Sequence, residues 1–249
     1  MRAFLALLVG ALMLSAQPAL AVTSSSQLVY SFSYGSEQNI AARDASDNAE
    51  TVDSASGSLN GGSNGISHYH GSLSDKGTMT VQIVREQSDG GLILSISEQG
   101  ETTRRAPPAT CVVYGNTSVI CDPNKTVYPE EYTLLRFLGP NFVDPSQLDA
   151  ARHWTISQPN GTQSVKADYT INANNGGLMQ IGEHREIGPA SGKGNSTDVQ
   201  TKIGYDFSRA VPTSVDEYVT QRVDSGISGT STTVYQTTLT LSSSTVAKP

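Results

Sequence analysis

The chain has 249 residues, with 16 lysines and arginines against 23 aspartates and glutamates, a formal net charge of −7. Charged residues make up only 16% and aromatic ones 6%, so the surface must be solvated largely by serine, threonine, glycine and asparagine. No basic patch exists to release counterions, which argues against nucleic acid and anionic lipid as electrostatic partners.

Residues 1–21, MRAFLALLVGALMLSAQPALA, read as a signal peptide. Arg2 is followed by an apolar stretch from Ala3 to Ala16, then Pro18, then the small residues of Ala19-Leu20-Ala21. The apolar run is too short to cross ~30 Å of hydrocarbon, and the cleavage pattern places the cut before Val22. Residues 22–249 are then expected to form a single exported β-rich domain in the periplasm or outside the cell. No later segment is apolar for the ~18 residues of a membrane helix, so an integral membrane protein is not expected.

SQLVYSFSY, Ser26 to Tyr34, alternates Leu28, Tyr30, Phe32 and Tyr34 with smaller residues, the pattern of a strand with one buried face. Residues 35–65 contain almost no large apolar side chains, and a long mobile loop is expected there, with a weak helical signal from Ile40 to Ala45. From Ile66 the alternation returns. Met79, Val81 and Ile83 precede an Asp89-Gly90-Gly91 turn, and Leu92, Leu94 and Ile96 follow it, which predicts a hairpin. RRAPP, from Arg104 to Pro108, is expected to end that hairpin.

The only two cysteines, Cys111 and Cys121, frame CVVYGNTSVIC. A three-residue loop over Gly115-Asn116-Thr117 pairs Tyr114 with Ser118, Val113 with Val119, Val112 with Ile120 and Cys111 with Cys121. That register sets the sulfurs opposite each other, so an exported chain should form a cross-strand disulfide there. Closing so short a ring stabilises by roughly 3 kcal/mol. A redox site would want Cys-x-x-Cys, and a zinc clasp two more ligands.

Pro129 with Glu130 and Glu131 opens a predicted helix whose apolar stripe is Tyr132, Leu135 and Leu138, closed by Gly139-Pro140. A second short helix is predicted at VDPSQLDAAR, with Asp144 as N-cap and Gln147 as its capping-box partner. From His153 the chain reads as strands separated by Gly, Asn and Pro clusters. The fold class is therefore mainly β: an antiparallel meander forming a curled sheet or half-barrel, or alternatively a β-sandwich, with one or two short helices inserted. An outer-membrane barrel fits poorly, because the aromatic girdles such barrels carry are missing and the chain ends in Lys248-Pro249.

Chemistry-bearing residues are few. His68 and His70 in SHYHG lie two apart, so on a strand both imidazoles face one side and could share a metal. Closing that site needs a third ligand, for which His153, His184 or Glu186 are available; the alternative is two exposed imidazoles. GEHREIG puts His184 and Glu186 on one strand face and Glu183 and Arg185 on the other, consistent with an acid–base pair or with simple charge alternation on a solvated strand. Trp154, the sole tryptophan, reads as core. His-Glu-x-x-His is missing. GPASGKG, from Gly188 to Gly194, lacks the strand-to-helix context of a phosphate cradle. No catalytic residue and no cofactor is predicted.

The succession of signal peptide, long meandering strands, a short helical interruption and more long strands resembles the half-barrel of periplasmic lipoprotein carriers, the localisation-factor superfamily. The resemblance is architectural and brings no residue motif. It implies a curled antiparallel sheet whose apolar concave face accepts acyl chains, with the segment from Pro129 to Arg152 as plug or lid. Leu134, Leu135, Phe137, Leu138 and Phe142, with Trp154 beside them, would then be ligand contacts; the alternative is ordinary core. The expected function is an exported, non-catalytic envelope protein whose partner is an apolar or lipid-like ligand or an envelope protein. A surface or matrix interaction module without a pocket, and a secreted hydrolase or metal-binding protein, are the alternatives.

Overall fold

The computed structural model describes residues 26–43, 58–62, 66–101, 105–144, 146, 152–160, 163–189, 194–224 and 229–246. In chain order the elements are β1 (Gln27–Arg43), β2 (Ser58–Gly62), β3 (Ile66–Glu86), β4 (Leu92–Gly100), β5 (Arg105–Val113), β6 (Val119–Cys121), α1 (Pro129–Leu135), β7 (His153–Asn160), β8 (Gln163–Asn175), β9 (Leu178–Pro189), β10 (Ser196–Asp206), β11 (Val211–Asp224) and β12 (Gly229–Ser244). They form one antiparallel sheet in the order β6-β5-β4-β3-β1-β12-β11-β10-β9-β8-β7, with β2 pairing β3 off this path. It is a single curled sheet that does not close into a barrel. The sandwich alternative, which needs two facing sheets, is not what forms.

This topology explains the helical interruption. The chain leaves β6 at one edge and must re-enter as β7 at the opposite edge, so the connection between them has to cross a face of the sheet. It crosses the inner one. There the strand residues at alternate positions, such as Leu28, Tyr30, Met79, Val81, Leu94, Ile203 and Val215, are buried. Leu134, Leu135, Phe137, Leu138 and Phe142 of the connection join them in one core cluster. Each such aliphatic or aromatic side chain withdrawn from water stabilises by about 1.5–3 kcal/mol. The connection is thus a plug folded from the chain itself.

The paired cysteines behave as their spacing demands. Cys111 and Cys121 are bonded, in the register Cys111 with Cys121, Val112 with Ile120 and Val113 with Val119, and Tyr114 N donates to Ser118 O. The turn of this hairpin abuts the plug: a Cβ on Gly115 would lie 2.2 Å from Pro140 O, and one on Gly139 would lie 2.0 Å from Tyr114 O. Only glycine permits two backbones to come that close. The staple therefore braces the crossing segment.

Several expectations need correction. Residues 35–43, expected to start a mobile loop, continue β1. Their ladder is satisfied on both sides, by β12 from Gly35 opposite Gln236 to Ala42 opposite Gly229, and by β3 from Gly35 opposite Ser74 to Arg43 opposite Ile66. Paired backbone, rather than apolar content, holds a central strand of small residues. Residues 58–62 form β2, and 44–57 and 63–65 lie outside the described residues. The helical signal at Ile40 also fails, because Ile40–Arg43 is strand. The prolines of RRAPP do not end the sheet. Pro107 and Pro108 lie within β5 and are exposed, where β6 pairs only Cys111–Val113 and the β4–β5 register slips between Ile96 and Glu98. An unpaired edge and a bulge are where strand prolines are tolerated.

Helix α1 opens as predicted, with Pro129 at its start and the Glu131 carboxylate accepting from Tyr128 N. It stops at Leu135, and its next bonds, Phe137 N to Leu134 O and Leu138 N to Leu135 O, tighten into a turn. The stripe is rotated from expectation: Tyr132 is 43% exposed, and Leu134 joins Leu135 and Leu138 inside. Of the second predicted helix, Asp144 accepts from Ser146 N and Oγ; Pro145 and residues 147–151 lie outside the described residues. No helix among the described residues is long and apolar enough to cross a membrane.

Candidate functional site

Across the inner face, register places Thr237, Glu217, Thr201, Glu183, Tyr169 and Trp154 side by side on β12, β11, β10, β9, β8 and β7. The first residue after α1, Arg136, lands on this row. Its Nη1 and Nη2 donate to Glu183 Oε1 and Oε2 at 2.9 and 3.3 Å, and Nη2 also donates to Glu217 Oε2. Thr133, from the same helix, donates to Glu217 Oε1 at 2.6 Å. Thr201 and Tyr169 donate to the two oxygens of Glu183 at 2.5 and 2.8 Å. Arg136 and Glu183 have side chains only 1% and 0% exposed. An arginine fork is the one cationic group that can hold a carboxylate at two points and a second carboxylate beside it.

Arg185 stands one inward position further along β9, its Nε 3.8 Å from Glu183 Oε1 and its Nη2 4.0 Å from Glu217 Oε2. The four charges cancel. Burial alone would depress the Arg136 pKa, but Glu183 and Glu217 outweigh it and raise the value. Burial works against ionisation of Glu183, yet Arg136, Arg185 and the Thr201 hydroxyl hold its carboxyl below the usual range. The Arg185 pKa is lowered, first by burial and then by Arg136. Burial, reinforced by Glu183, pushes the Tyr169 phenol up. The oxygens of both carboxylates are occupied by donors from sheet and plug together. A general base needs a free lone pair aimed at a substrate; these oxygens serve as a latch.

Beside the latch lies an aromatic cluster. Phe142 meets Phe137, Trp154, Tyr169 and Tyr205 edge-on at centroid separations of 5.3, 5.8, 5.5 and 5.5 Å. Trp154 stacks on Tyr169 at 4.9 Å, and the Arg136 guanidinium sits 4.6 Å over the Phe137 ring. Every residue the carrier resemblance pointed to, Leu134, Leu135, Phe137, Leu138, Phe142 and Trp154, therefore comes together on the inner face, and all are buried.

The histidines do not come together. His68 and His70 lie on β3, where His70 Nδ1 is 2.8 Å from Asn39 Oδ1, while His184 and Glu186 lie on β9. Strands β1, β12, β11 and β10 intervene, on the order of 20 Å at ordinary strand spacing, so neither residue of β9 can complete a site with His68 and His70. On the outer face His184 and Glu186 meet Asp198 instead, with one ligand atom of each within 4.8 Å of the others. That trio could hold a divalent cation. It is exposed, however, and His184 Nε2 is already 2.8 Å from Asp198 Oδ2, a pairing that raises the His184 pKa. His153 faces Asp168 at 3.7 Å.

Sequence reading missed Arg136, Glu217, Thr133 and Thr201. Their only signal is a charged or hydroxyl residue at an inward strand position, such as Glu217 two residues after Val215. The fold and this site define a class of protein, a single curled antiparallel sheet occupied by a plug of its own chain and latched by buried charges. No protein-family model and no curated protein matches the chain.

Proposed function

We propose that this chain is an exported, non-catalytic binding protein that receives an apolar or lipid-like ligand on the inner face of its sheet, with the crossing segment from α1 to Phe142 as a displaceable cover. The observation that carries the reading is that the apolar inner face is covered by a connection rather than by a second sheet. Its Leu134, Leu135, Phe137, Leu138 and Phe142 share one core cluster with the strands, and Arg136 and Thr133 tie it to Glu183 and Glu217. Withdrawing it would expose the strand side chains of the core cluster and the plug's own Leu134, Leu135, Phe137, Leu138 and Phe142 to a ligand. The capture of acyl chains by the carrier proteins it resembles supports this assignment.

Native mass spectrometry of gently purified full chain should show an added acyl mass, and a photoreactive fatty acid should label plug residues saturably. A ligand-free mass together with no saturable labelling would end this reading.

A further inference from the structure

The outer face shows a second feature that the lipid reading leaves unused. Register aligns Ser74, Gly35, Gln236, Tyr218, Gln200 and His184 in one continuous row across β3, β1, β12, β11, β10 and β9. Two surface depressions lie along it, of about 320 and 630 Å³. Tyr218 and Gln236 line both, so the two depressions adjoin at that pair and together follow the row across the strands as a shallow trough.

Gly35 sits in the first of them. A central strand gains nothing from glycine, which costs roughly 0.5–1 kcal/mol against alanine. The fold does not require it either: its φ is not in the left-handed region, and nothing lies within 4 Å of where its Cβ would be. A glycine within a strand, without a steric reason from the protein, marks a place where something else approaches the backbone. At the centre Tyr218 is 48% exposed. Neither its hydroxyl nor the amides of Gln236 and Gln200 make a hydrogen bond among the described residues.

The chemistry selects the occupant. A bare aromatic face takes up the C–H surface of a ring, and planar amides offer donor and acceptor together to paired hydroxyls. The row from Gly35 to Gln200 carries no charge of its own, and His184 at its end is already paired with Asp198. Glu37, Asp216 and Lys202 flank the row in the same depressions, two exposed acids to one base, which disfavours an anionic chain. Successive strands are ~4.8 Å apart, a step close to the advance of one sugar ring along an extended glycan. We propose that this trough is a binding site for a linear, uncharged oligosaccharide lying across the strands, with Tyr218 as its stacking platform and Gly35 as its open floor. The site is independent of the inner face.

The full mature chain should be applied to a printed array of linear neutral and acidic glycans, in parallel with Tyr218→Ala and Gly35→Trp. Neutral linear glycans should be retained by the wild type. Retention should fall at least tenfold in Tyr218→Ala and vanish in Gly35→Trp, with circular dichroism and thermal midpoint unchanged. Glycan retention by a chain that fails to bind fatty acid would leave this site standing while the lipid reading falls. Retention of no glycan, of acidic glycans only, or equal retention by both variants would overturn the proposal.

Discussion

Arg136 and Glu183 form a two-point ion pair, at 2.9 and 3.3 Å, between a connecting segment and the middle of a strand with water excluded from both. The pair is costly to desolvate, so it is weak evidence for stability in itself. Breaking it is another matter, because Arg136→Met leaves Glu183 and Glu217 buried with too few donors. A loss of about 3–5 kcal/mol is expected, read from the urea midpoint. Arg136→Lys should recover little, since a point charge cannot span both carboxylates. A loss under about 1 kcal/mol in Arg136→Met would mean the pair is no latch.

Acid should act on the same place. The folded-state pKa of Glu183 lies below its ordinary value, so its contribution to stability is fully present above the unfolded glutamate value of about 4.3. That contribution is lost as pH falls through the folded value. The thermal midpoint should therefore be insensitive to this group from neutrality down to about pH 5 and decline below about 4. Glu183→Gln should flatten that decline. An identical acid limb in the variant would assign the loss to other carboxylates.

His184 carries the opposite sign. Its pKa is raised, chiefly by the hydrogen bond to Asp198, so whatever stability it contributes is present below the ordinary histidine value of about 6.5 and disappears as pH rises through the folded value. The pair is half exposed, so the effect on stability is small and best followed by NMR. The His184 ring shifts should titrate later than those of an unpaired histidine, and Asp198→Asn should bring them back. Adding Zn²⁺ tests the trio with Glu186 directly: a saturable shift of ring signals confined to His184 would show a cation held there, and unmoved signals would show none.

The parts of this structure legible in the sequence are those set by near neighbours. Period-two alternation gave the inward faces of β1, β3 and β4. The ten-residue separation of the cysteines fixed a hairpin register that the structure reproduces. Residues 35–43 were illegible because their support is non-local: β12 and β3 supply the pairing, and the small residues of β1 say nothing of it. Arg136 was illegible for the same reason. Its two acceptors lie 47 and 81 residues away, on strands whose alternation assigns a face but not a partner. The six apolar positions singled out around the helix did converge, because apolar side chains need only a common core, not a specific mate.

Phe142 should be the most sensitive apolar position of the plug. It meets four other rings edge-on, so truncation removes its own buried surface and also strands its partners around a cavity. Phe142→Ala is expected to cost about 3–5 kcal/mol, and the emission of Trp154, 5.8 Å away, should shift to the red as water enters. A small loss with unshifted emission would show that the plug does not pack as described.

Two glycines provide the sharpest contrast, because they ask the same chemical question in opposite surroundings. A methyl group on Gly139 would fall 2.0 Å from Tyr114 O, a backbone atom of the stapled hairpin that cannot rotate away. A methyl group on Gly35 would meet nothing within 4 Å. Gly139→Ala must therefore push the crossing segment off the hairpin, and it should lower stability and speed amide exchange at Leu138 and Phe142. Gly35→Ala should be neutral or stabilising by roughly 0.5–1 kcal/mol, from the lower entropy of its unfolded chain. Denaturation midpoints of the two variants, measured side by side, decide this. If Gly139→Ala were as stable as Gly35→Ala, the cysteine hairpin could not be bracing the plug.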